Sequence, residues 1–188
     1  DEGAARELKT VLADTDITVL AGLEGIKEMI ARSQADIAVN SIMGRAGLEP
    51  TLAAIEKGMN IALANKETLV AAGKIVMAAA RREGVKILPV DSEHCAIAQC
   101  LTAGRHEEVS RLIITASGGP FFGRTRDELR DITPSMALSH PTWSMGAKIT
   151  VDSATMMNKG FEVIEACRLF DIPPERIDTI VHRESVIH

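Results

Sequence analysis

The chain has 188 residues, 46% of them hydrophobic and 25% charged, so it can bury a substantial core and intrinsic disorder is excluded. Its 21 Lys and Arg against 26 Asp and Glu give a net charge of −5, which disfavours broad binding to nucleic acid or to an anionic membrane. The apolar runs are far shorter than the roughly 20 residues of a membrane-spanning helix. The three cysteines have no zinc or disulfide spacing. We therefore expect a globular protein of a reducing compartment that binds neither nucleic acid nor membranes.

Both termini interrupt predicted elements. The chain starts at Asp1 without an initiator Met, inside a helical pattern, and stops at His188 inside a β-like run. A signal peptide does not explain the start, because no basic region followed by an apolar region is found there. We expect an internal piece of a longer protein.

Short β-branched runs alternate with longer helical patterns from residue 17 to about residue 103. The predicted strands are ITVLAG, IAVNSI, NIALAN and KILPV, and the longest predicted helix is KETLVAAGKIVMAAARREG. A repeating strand and helix order with nearly continuous apolar strands is typical of a parallel sheet. The sequence therefore predicts an α/β fold whose parallel sheet is covered by helices on both faces.

The pattern changes after residue 105, and a second lobe is predicted from about Val90. Its predicted elements are a strand in VSRLIITA, a Gly-Gly-Pro turn, a short helix in TRDELRD, the irregular segment HPTWSMG and a long helix that ends near Phe170. Residues 133–145 contain two prolines and little periodicity, which indicates a functional loop. Within this loop His140 and Trp143 are either packing residues or parts of a lid.

The motif VDSEH at residues 90–94 follows a predicted strand, at the sheet edge where ligands of α/β proteins gather. In extended backbone Asp91 and Glu93 point the same way, so both carboxylates can bind one hard cation while Ser92 makes another contact. Alternatively, Asp91 or Ser92 only caps the following helix. The motif alone leaves both interpretations open.

The motif SGGP at residues 117–120 directly follows the predicted strand RLIITA. Small residues let backbone N–H groups converge on an anion, and Ser117 adds a hydroxyl donor. A plain tight turn has the same composition, so an anion site and a turn are both compatible with this motif.

The motif DSATMMNKGFEVIE at residues 152–165 combines polar residues at helical spacing. Ser153, Asn158 and Lys159 are residue types that bind phosphate. Asn158 and Lys159 lie four and three residues before Glu162, so these three side chains can share one helix face. The alternative is a solvated face with a single Lys–Glu ion pair.

The motif ANKE at residues 64–67 lies at another strand end that leads into a helix. Lys66 can bind an anionic substrate at this position, or Glu67 can merely favour the helix N-terminus.

Taken together, these motifs resemble a known series. ANKETLV, LPVDSEH, ASGGPF, HPTWSMGAKITVDSATMMNKG and FEVIEA are similar, in order and spacing, to the motifs of the 1-deoxy-D-xylulose 5-phosphate reductoisomerase family. The match covers nearly the whole chain, and HPTWSMG followed by VDSATMMNKG is highly specific. The resemblance implies a homodimer in which each subunit has an NADPH-binding domain, a catalytic domain and a C-terminal helical bundle.

The resemblance also implies the domain organisation. Residues 1–89 are assigned to the C-terminal half of a doubly wound, Rossmann-like NADPH-binding domain, and residues 90–188 to an incomplete α+β catalytic domain. The Gly-rich phosphate loop and the helical bundle of the family are missing, since GLEG at residues 22–25 is not a GxGxxG fingerprint.

By the same resemblance, Asp91, Glu93 and Glu162 hold a divalent cation, Mg²⁺ or Mn²⁺, and form the catalytic set with Lys66. The residues implied to bind the phosphorylated sugar substrate are Lys66, Ser92, Glu93, Ser117, His140, Ser153, Asn158, Lys159 and Glu162. The residues implied to contact NADPH are Asn65, Glu67 and Gly146.

The implied reaction converts 1-deoxy-D-xylulose 5-phosphate to 2-C-methyl-D-erythritol 4-phosphate with NADPH, in the non-mevalonate isoprenoid pathway of a bacterial cytoplasm or plastid stroma. One rival is a metal-dependent phosphosugar isomerase or aldolase without a nicotinamide step. Another is a non-catalytic fragment that only folds or pairs. We expect the 188-residue chain alone to be inactive, because it lacks the glycine loop that binds the pyrophosphate of NADPH.

Overall fold

The computed structural model describes residues 1–141 and 144–188. These residues form two compact units, Asp1–Leu88 and Pro89–His188. The assignment of the units to half of a nucleotide-binding domain and to a catalytic domain remains a prediction. Within the described ranges, no helical segment combines the length and hydropathy that crossing a membrane requires.

The first unit builds helices around a short sheet. Its helices α1 to α4 span Glu2–Val11, Gly22–Arg32, Leu48–Glu56 and Lys66–Glu83, with a 3₁₀ turn at Gly44–Gly47. Its strands β1, β2 and β3 span Ile37–Asn40, Asn60–Leu63 and Ile87–Pro89, and they lie in the order β1-β2-β3. β1 and β2 are parallel, with Ile37 opposite Asn60. The predicted α/β fold with parallel strands is confirmed.

The first predicted strand, ITVLAG, is wrong. Residues 17–21 have no regular secondary structure, and Gly22 already belongs to α2. Within the described part of the chain β1 pairs only with β2, so the segment does not pair with the other edge of β1. Ile17 is 61% exposed, and β-branched composition alone does not hold a strand that lacks a partner.

Within the described residues, the two faces of the sheet differ in how far they are covered. Helix α3 packs against β1 and β2, and the strand residues Ile61 and Leu63 are fully buried. On alternate positions of β1, Ile37 and Val39 remain 48% and 73% exposed. Because strand side chains alternate between faces, one face of this sheet is packed and the other is largely open.

The long helix α4 agrees with its prediction at both ends. Asn65 occupies the N-cap, where its side chain accepts a hydrogen bond from the backbone N–H of Thr68. Gly84 ends the helix in the left-handed region, at φ +68°, a conformation that glycine adopts without steric cost. The strand end of β2 therefore leads directly into a firmly capped helix.

The second unit packs helices against a two-stranded parallel sheet. Its helices α5 to α8 span Ser92–Leu101, Pro134–Ala137, Ala147–Ala154 and Met157–Phe170, and its strands β4 and β5 span Leu112–Ala116 and Ile177–Val181. Short 3₁₀ turns lie at His106–Glu108 and Pro174–Arg176. In the sheet Leu112 lies opposite Ile177. The core is formed by Ile97, Leu112, Ile114, Ala166, Ile172 and Ile177.

The predicted helix TRDELRD is wrong, because residues 126–131 form turns. Its start does form, since the backbone N–H and hydroxyl of Thr125 both donate to the Glu128 carboxylate, at 2.7 and 2.8 Å. The following residues are exposed. A segment this short has too little apolar surface to stabilise a helix by packing.

The predicted continuous helix to Phe170 is divided into α7 and α8. Met156 lies between them in the left-handed region, with φ +60° and ψ +9°. Consequently Ser153 belongs to α7, whereas Asn158, Lys159 and Glu162 belong to α8. The predicted end of the helix at Phe170 is confirmed.

Candidate functional site

A cavity of about 230 Å³ lies in the second unit, and its lining residues all come from that unit. The loop after β3, the loop after β4 and the helices α7 and α8 contribute to its wall. The predicted metal-binding and substrate-binding residues of this unit all line it: Asp91, Ser92, Glu93, Ser117, His140, Ser153, Asn158, Lys159 and Glu162.

Three carboxylates converge at one end of the cavity. Asp91, Glu93 and Glu162 each offer an oxygen atom, and these atoms lie within 4.8 Å of one another. Glu162 is 1% exposed. Carboxylates so close together repel one another unless a cation lies among them, and oxygen ligands at this spacing suit a hard cation.

The backbone that presents these carboxylates differs from the prediction. Asp91 and Glu93 are not in one extended segment, because Asp91 is the N-cap of α5 and Glu93 lies in the first helical turn. The Asp91 side chain makes no capping hydrogen bond. Helix capping therefore does not account for this carboxylate, and the cation interpretation of VDSEH remains a prediction.

The ammonium group of Lys159 lies among the carboxylates. Its Nζ donates to Glu93 Oε1 at 2.8 Å and contacts Glu162 Oε2. It also donates to the backbone carbonyl of Thr115, at the end of β4. Lys159 is 8% exposed, so a buried cation partly neutralises the cluster.

Lys159 also determines the ionisation of Glu93. Burial would raise the pKa of the Glu93 carboxyl, but the charge of Lys159 and hydrogen bonds from Lys159 and Ser92 outweigh it and lower the pKa to about 2. The Ser92 hydroxyl donates to Glu93 Oε2 at 2.8 Å. Glu93 is therefore anionic across the neutral range, which is the state that a metal ligand requires.

Hydroxyl, imidazole and amide groups line the same cavity. Ser117 Oγ lies 3.2 Å from His140 Nε2, and burial lowers the pKa of His140, which favours the neutral imidazole at pH 7. The Asn158 amide donates to Glu162 Oε1. Donors of these types bind phosphate oxygens, so the cavity can hold an anionic group beside a cation.

The SGGP motif leads from β4 into a turn at residues 120–123, and its Ser117 and Gly118 line the cavity. Gly118 and Gly119 have φ +87° and +66°. A Cβ on Gly119 would lie 2.7 Å from the carbonyl oxygen of Ser153. The glycine therefore lets the turn lie directly against the end of α7, which brings Ser117 and Ser153 to one cavity. The turn and the anion site are thus compatible.

The ANKE residues belong to the first unit, where Asn65 and Glu67 take part in hydrogen bonds around the start of α4. The Asn65 amide, 3% exposed, donates to the carbonyls of Ile42 and Gly44 in addition to capping α4. It also donates to Glu67 Oε2 at 3.2 Å. Lys66 is the first residue of α4 and is buried. Asn65 therefore ties the end of β2 to the turn that follows β1.

The loop predicted to act as a lid is described in part. Gly146 is the N-cap of α7, and apart from its chain neighbours no atom of the described residues lies within 4 Å of the position of a Cβ on it. This open space is compatible with a ligand close to the backbone. Trp143 lies outside the described residues.

Two buried residues beside the carboxylates were not assigned from the sequence. His94 is fully buried, and its Nε2 lies 2.9 Å from the backbone carbonyl of Glu162. Its Nδ1 lies 3.6 Å from Glu165 and 3.9 Å from Asp91. The signal was available, because His94 and Glu165 follow Asp91 and Glu162 by three residues, one helical turn.

His188 was also missed. Its Nε2 lies 2.8 Å from Ser92 Oγ, and its side chain lines the cavity. No local motif surrounds this last residue, so the sequence offers no signal for it.

Comparison with known proteins identifies the family of the chain. Residues 87–170 match the 1-deoxy-D-xylulose 5-phosphate reductoisomerase C-terminal domain, and residues 1–73 match the family description 1-deoxy-D-xylulose 5-phosphate reductoisomerase. The chain belongs to the 1-deoxy-D-xylulose 5-phosphate reductoisomerase family.

Individual relatives of the reductoisomerase family align along the whole chain. The 1-deoxy-D-xylulose 5-phosphate reductoisomerase of Exiguobacterium sibiricum is 57% identical over 188 residues, which are 100% of this chain and 49% of the relative. That of Geobacillus kaustophilus is 62% identical over 171 residues, 91% of this chain and 45% of the relative. The chain thus spans about half the length of the curated relatives that it matches.

Solved reductoisomerase structures have the same fold. The enzyme from Zymomonas mobilis in complex with NADPH superimposes with a TM-score of 0.91 at 47% identity, and the match covers 100% of this chain and 48% of that one. A reductoisomerase in complex with NADPH, fosmidomycin and magnesium gives a TM-score of 0.88 at 45% identity, covering 98% and 48%.

Proposed function

We propose that this chain provides the metal-binding and substrate-binding site of an NADPH-dependent reductoisomerase that converts 1-deoxy-D-xylulose 5-phosphate to 2-C-methyl-D-erythritol 4-phosphate. The observation that carries the proposal is one cavity in which three carboxylates lie beside phosphate-binding side chains. Family membership supports the reaction class, and the relatives solved with NADPH and magnesium support the cofactors.

The residues fit a hard divalent cation. Asp91, Glu93 and Glu162 supply three anionic oxygen ligands within 4.8 Å of one another, and the cluster already attracts the ammonium of Lys159. We propose that these three carboxylates hold Mg²⁺ or Mn²⁺, which would polarise the carbonyl and neighbouring hydroxyl oxygens of the substrate.

The same cavity also offers groups that suit the substrate phosphate. Ser117 and Ser153 offer hydroxyl groups, and Asn158 offers an amide. His140 contributes a neutral imidazole, and Lys159 is a cation close enough to reach the anion. Because binding energy at a remote phosphate orients the reacting carbons, these residues would lower the barrier as well as the dissociation constant. Ser92 would make a further substrate contact.

The chain alone does not fit NADPH. Its 188 residues contain no GxGxxG fingerprint, and the pyrophosphate of a dinucleotide needs such a loop at a helix N-terminus. We propose that Asn65, Glu67 and Gly146 contact NADPH in the complete enzyme, where the cofactor supplies the hydride. There Lys66 would contact the substrate and steer negative charge.

The remaining parts of the proposal concern assembly and location. We propose a homodimer for the complete protein, a phosphorylated sugar as its substrate, and neither nucleic acid nor a membrane as partner. The proposed location is a bacterial cytoplasm or a plastid stroma. Support comes from the three cysteines, which are all free thiols, as a reducing compartment requires.

The deciding experiment uses a phosphonate hydroxamate, which carries a chelating group and a phosphate-like group in one molecule. Isothermal titration calorimetry should detect binding to the chain with Mg²⁺ and little binding without it. Ser153→Ala should weaken binding, whereas Ser139→Ala, an exposed hydroxyl outside the cavity, should not. Binding that is independent of Mg²⁺ in a folded chain would contradict the proposal.

A further inference from the structure

We propose that Lys159 changes partners during binding: a divalent cation displaces its ammonium from the carboxylates, and the displaced ammonium then binds the substrate phosphate. The inference rests on the proposed function, from which it takes the metal and phosphate sites. It adds that binding of the cation at the first site releases Lys159 for the phosphate at the second site.

The first step of the argument is competition for the same oxygen atoms. Lys159 Nζ lies 2.8 Å from Glu93 Oε1 and contacts Glu162 Oε2. Both residues belong to the three-carboxylate cluster. An ammonium and a divalent cation repel each other strongly at such distances in a buried site. Cation binding at the carboxylates therefore requires Lys159 to move.

The second step is the direction of that movement. The third partner of Lys159 is the carbonyl of Thr115, which lies two residues before Ser117 along the chain. The ammonium therefore contacts both the carboxylates and the end of the strand that leads into Ser117. The lysine stem has four flexible carbons, so rotation of the side chain can carry the charge towards the Ser117 side without moving α8.

The third step concerns the state in which Lys159 has left the carboxylates and no phosphate is bound. Lys159 is 8% exposed, and a buried ammonium without an anionic partner is strongly unfavourable. An arriving phosphate supplies that partner. Cation binding thus prepares the phosphate site, and by thermodynamic reciprocity phosphate must also strengthen cation binding.

Direct attraction between the cation and the phosphate would also make each ligand strengthen the binding of the other. The test therefore removes the lysine, because only the part of this coupling that depends on Lys159 should then disappear. Lys159→Met keeps the apolar stem and deletes the competing charge. It should bind Mg²⁺ at least about fivefold more tightly than the parent chain, the lower end of usual coupling strengths. Inorganic phosphate should tighten Mg²⁺ binding in the parent chain and much less in Lys159→Met. Isothermal titration calorimetry measures all four dissociation constants.

The matched control is Lys148→Met, which deletes the same charge from a half-exposed lysine paired with Asp152 on α7. It should bind Mg²⁺ like the parent chain. If Lys159→Met binds Mg²⁺ as tightly as the parent or more weakly, the proposed exchange of partners by Lys159 is wrong, whereas the proposed metal site is not contradicted. If the folded parent chain binds no Mg²⁺, the metal site and the exchange both fail.

A second measurement needs no variant and covers the case in which Lys159→Met does not fold. Lysine acylation followed by mass spectrometry reports how accessible each amine is in the parent chain. Mg²⁺ alone should increase labelling of Lys159, and added inorganic phosphate should reverse the increase, while labelling of Lys148 stays constant. Unchanged or decreased labelling of Lys159 with Mg²⁺ would overturn the inference.

Discussion

The imidazole of His94 lies 2.9 Å from the backbone carbonyl of Glu162, which joins α5 to α8 inside the second unit. Glu93 lies on α5, one residue before His94, and Glu162 lies on α8. The bond therefore fixes the separation between two of the three converging carboxylates. Such buried contacts around metal ligands commonly change metal affinity when they are removed.

Replacement of His94 should affect stability and metal affinity together. We expect His94→Leu to lower the free energy of unfolding by about 2 kcal/mol, because a buried carbonyl loses its partner. It should also weaken Mg²⁺ binding by about tenfold or more. His106→Leu is the control, since His106 makes the same kind of bond, 2.8 Å to the Phe170 carbonyl, at an exposed position. Equal losses in both variants, measured by urea unfolding and calorimetry, would argue against a special role for His94.

Each metal-binding carboxylate should be individually necessary for full affinity. Asp91→Asn, Glu93→Gln and Glu162→Gln each replace an anionic oxygen with an amide, which supplies only a dipole. Each should weaken Mg²⁺ or Mn²⁺ binding by at least about tenfold. Loss of a group that only hydrogen-bonds to a metal ligand already has an effect of this size, and loss of a ligand should not have a smaller one. Asp178→Asn, which alters an exposed ion pair with Arg111, should bind metal normally. Parent-like affinity in all three variants would refute the metal site.

The close approach of the SGGP turn to α7 should be visible in stability. Gly119→Ala places a Cβ 2.7 Å from the Ser153 carbonyl oxygen and strains a backbone at φ +66°. Gly123→Ala has comparable backbone strain, at φ +80°, and among the residues that the structure describes only its chain neighbours lie within 4 Å of the added Cβ. We expect a loss of about 1 kcal/mol for Gly123→Ala from backbone strain alone and a clearly larger loss for Gly119→Ala. Similar losses for both in urea unfolding would mean that the turn relaxes away from α7.

The lowered pKa of Glu93 predicts a specific pH dependence. Its pKa falls from an ordinary 4.5 to about 2 on folding, so the ionised carboxyl stabilises the fold above pH 4.5. That contribution, on the order of 3 kcal/mol, is lost as the pH falls towards 2. The stability difference between the parent and Glu93→Gln should therefore shrink as the pH decreases from 5 to 3. Glu128→Gln, at an exposed carboxyl, should show a smaller change, and a difference independent of pH would contradict the pairing with Lys159.

The 188-residue chain should not consume NADPH in the presence of 1-deoxy-D-xylulose 5-phosphate and Mg²⁺, because it lacks a glycine-rich pyrophosphate loop. The decrease in NADPH absorbance measures this directly. A longer protein that contains this sequence with the loop restored is the positive control. Steady, substrate-dependent oxidation by the 188-residue chain would show that the loop is dispensable.

Elements that carry their own stabilising signals could be predicted from the sequence. Helix α4 has a long apolar period, a capping Asn65 and a left-handed Gly84, so local chemistry determines its bounds. The segment at residues 17–21 has strand composition, but a strand needs a partner that composition does not reveal. In TRDELRD the predicted start of the helix forms, but the helix does not continue, because the segment has no apolar face to pack.

The sequence predicted which residues line the cavity better than it predicted the contacts that these residues make with one another. The family resemblance implied that Asp91, Glu93 and Glu162 lie in one site, and the structure brings them together. The helical spacing offered an ion pair between Lys159 and Glu162, but nothing in the sequence indicated that Lys159 would also pair with Glu93, because that contact joins two distant segments and depends on the rotamer of a long side chain. His94 was overlooked because a lone histidine beside acidic residues resembles an ordinary core residue.

The left-handed residue Met156 has a consequence for how this sequence can vary. On one continuous helix Ser153 and Asn158 would diverge by about 140°, since five residues at ~100° each separate them, yet both side chains line the same cavity. The break at Met156 reverses that divergence. Position 156 is therefore open to Gly or Asn, which adopt positive φ readily, and closed to Val or Ile. One backbone angle therefore limits which residues this position accepts, in addition to the place of Met156 in the lining of the cavity.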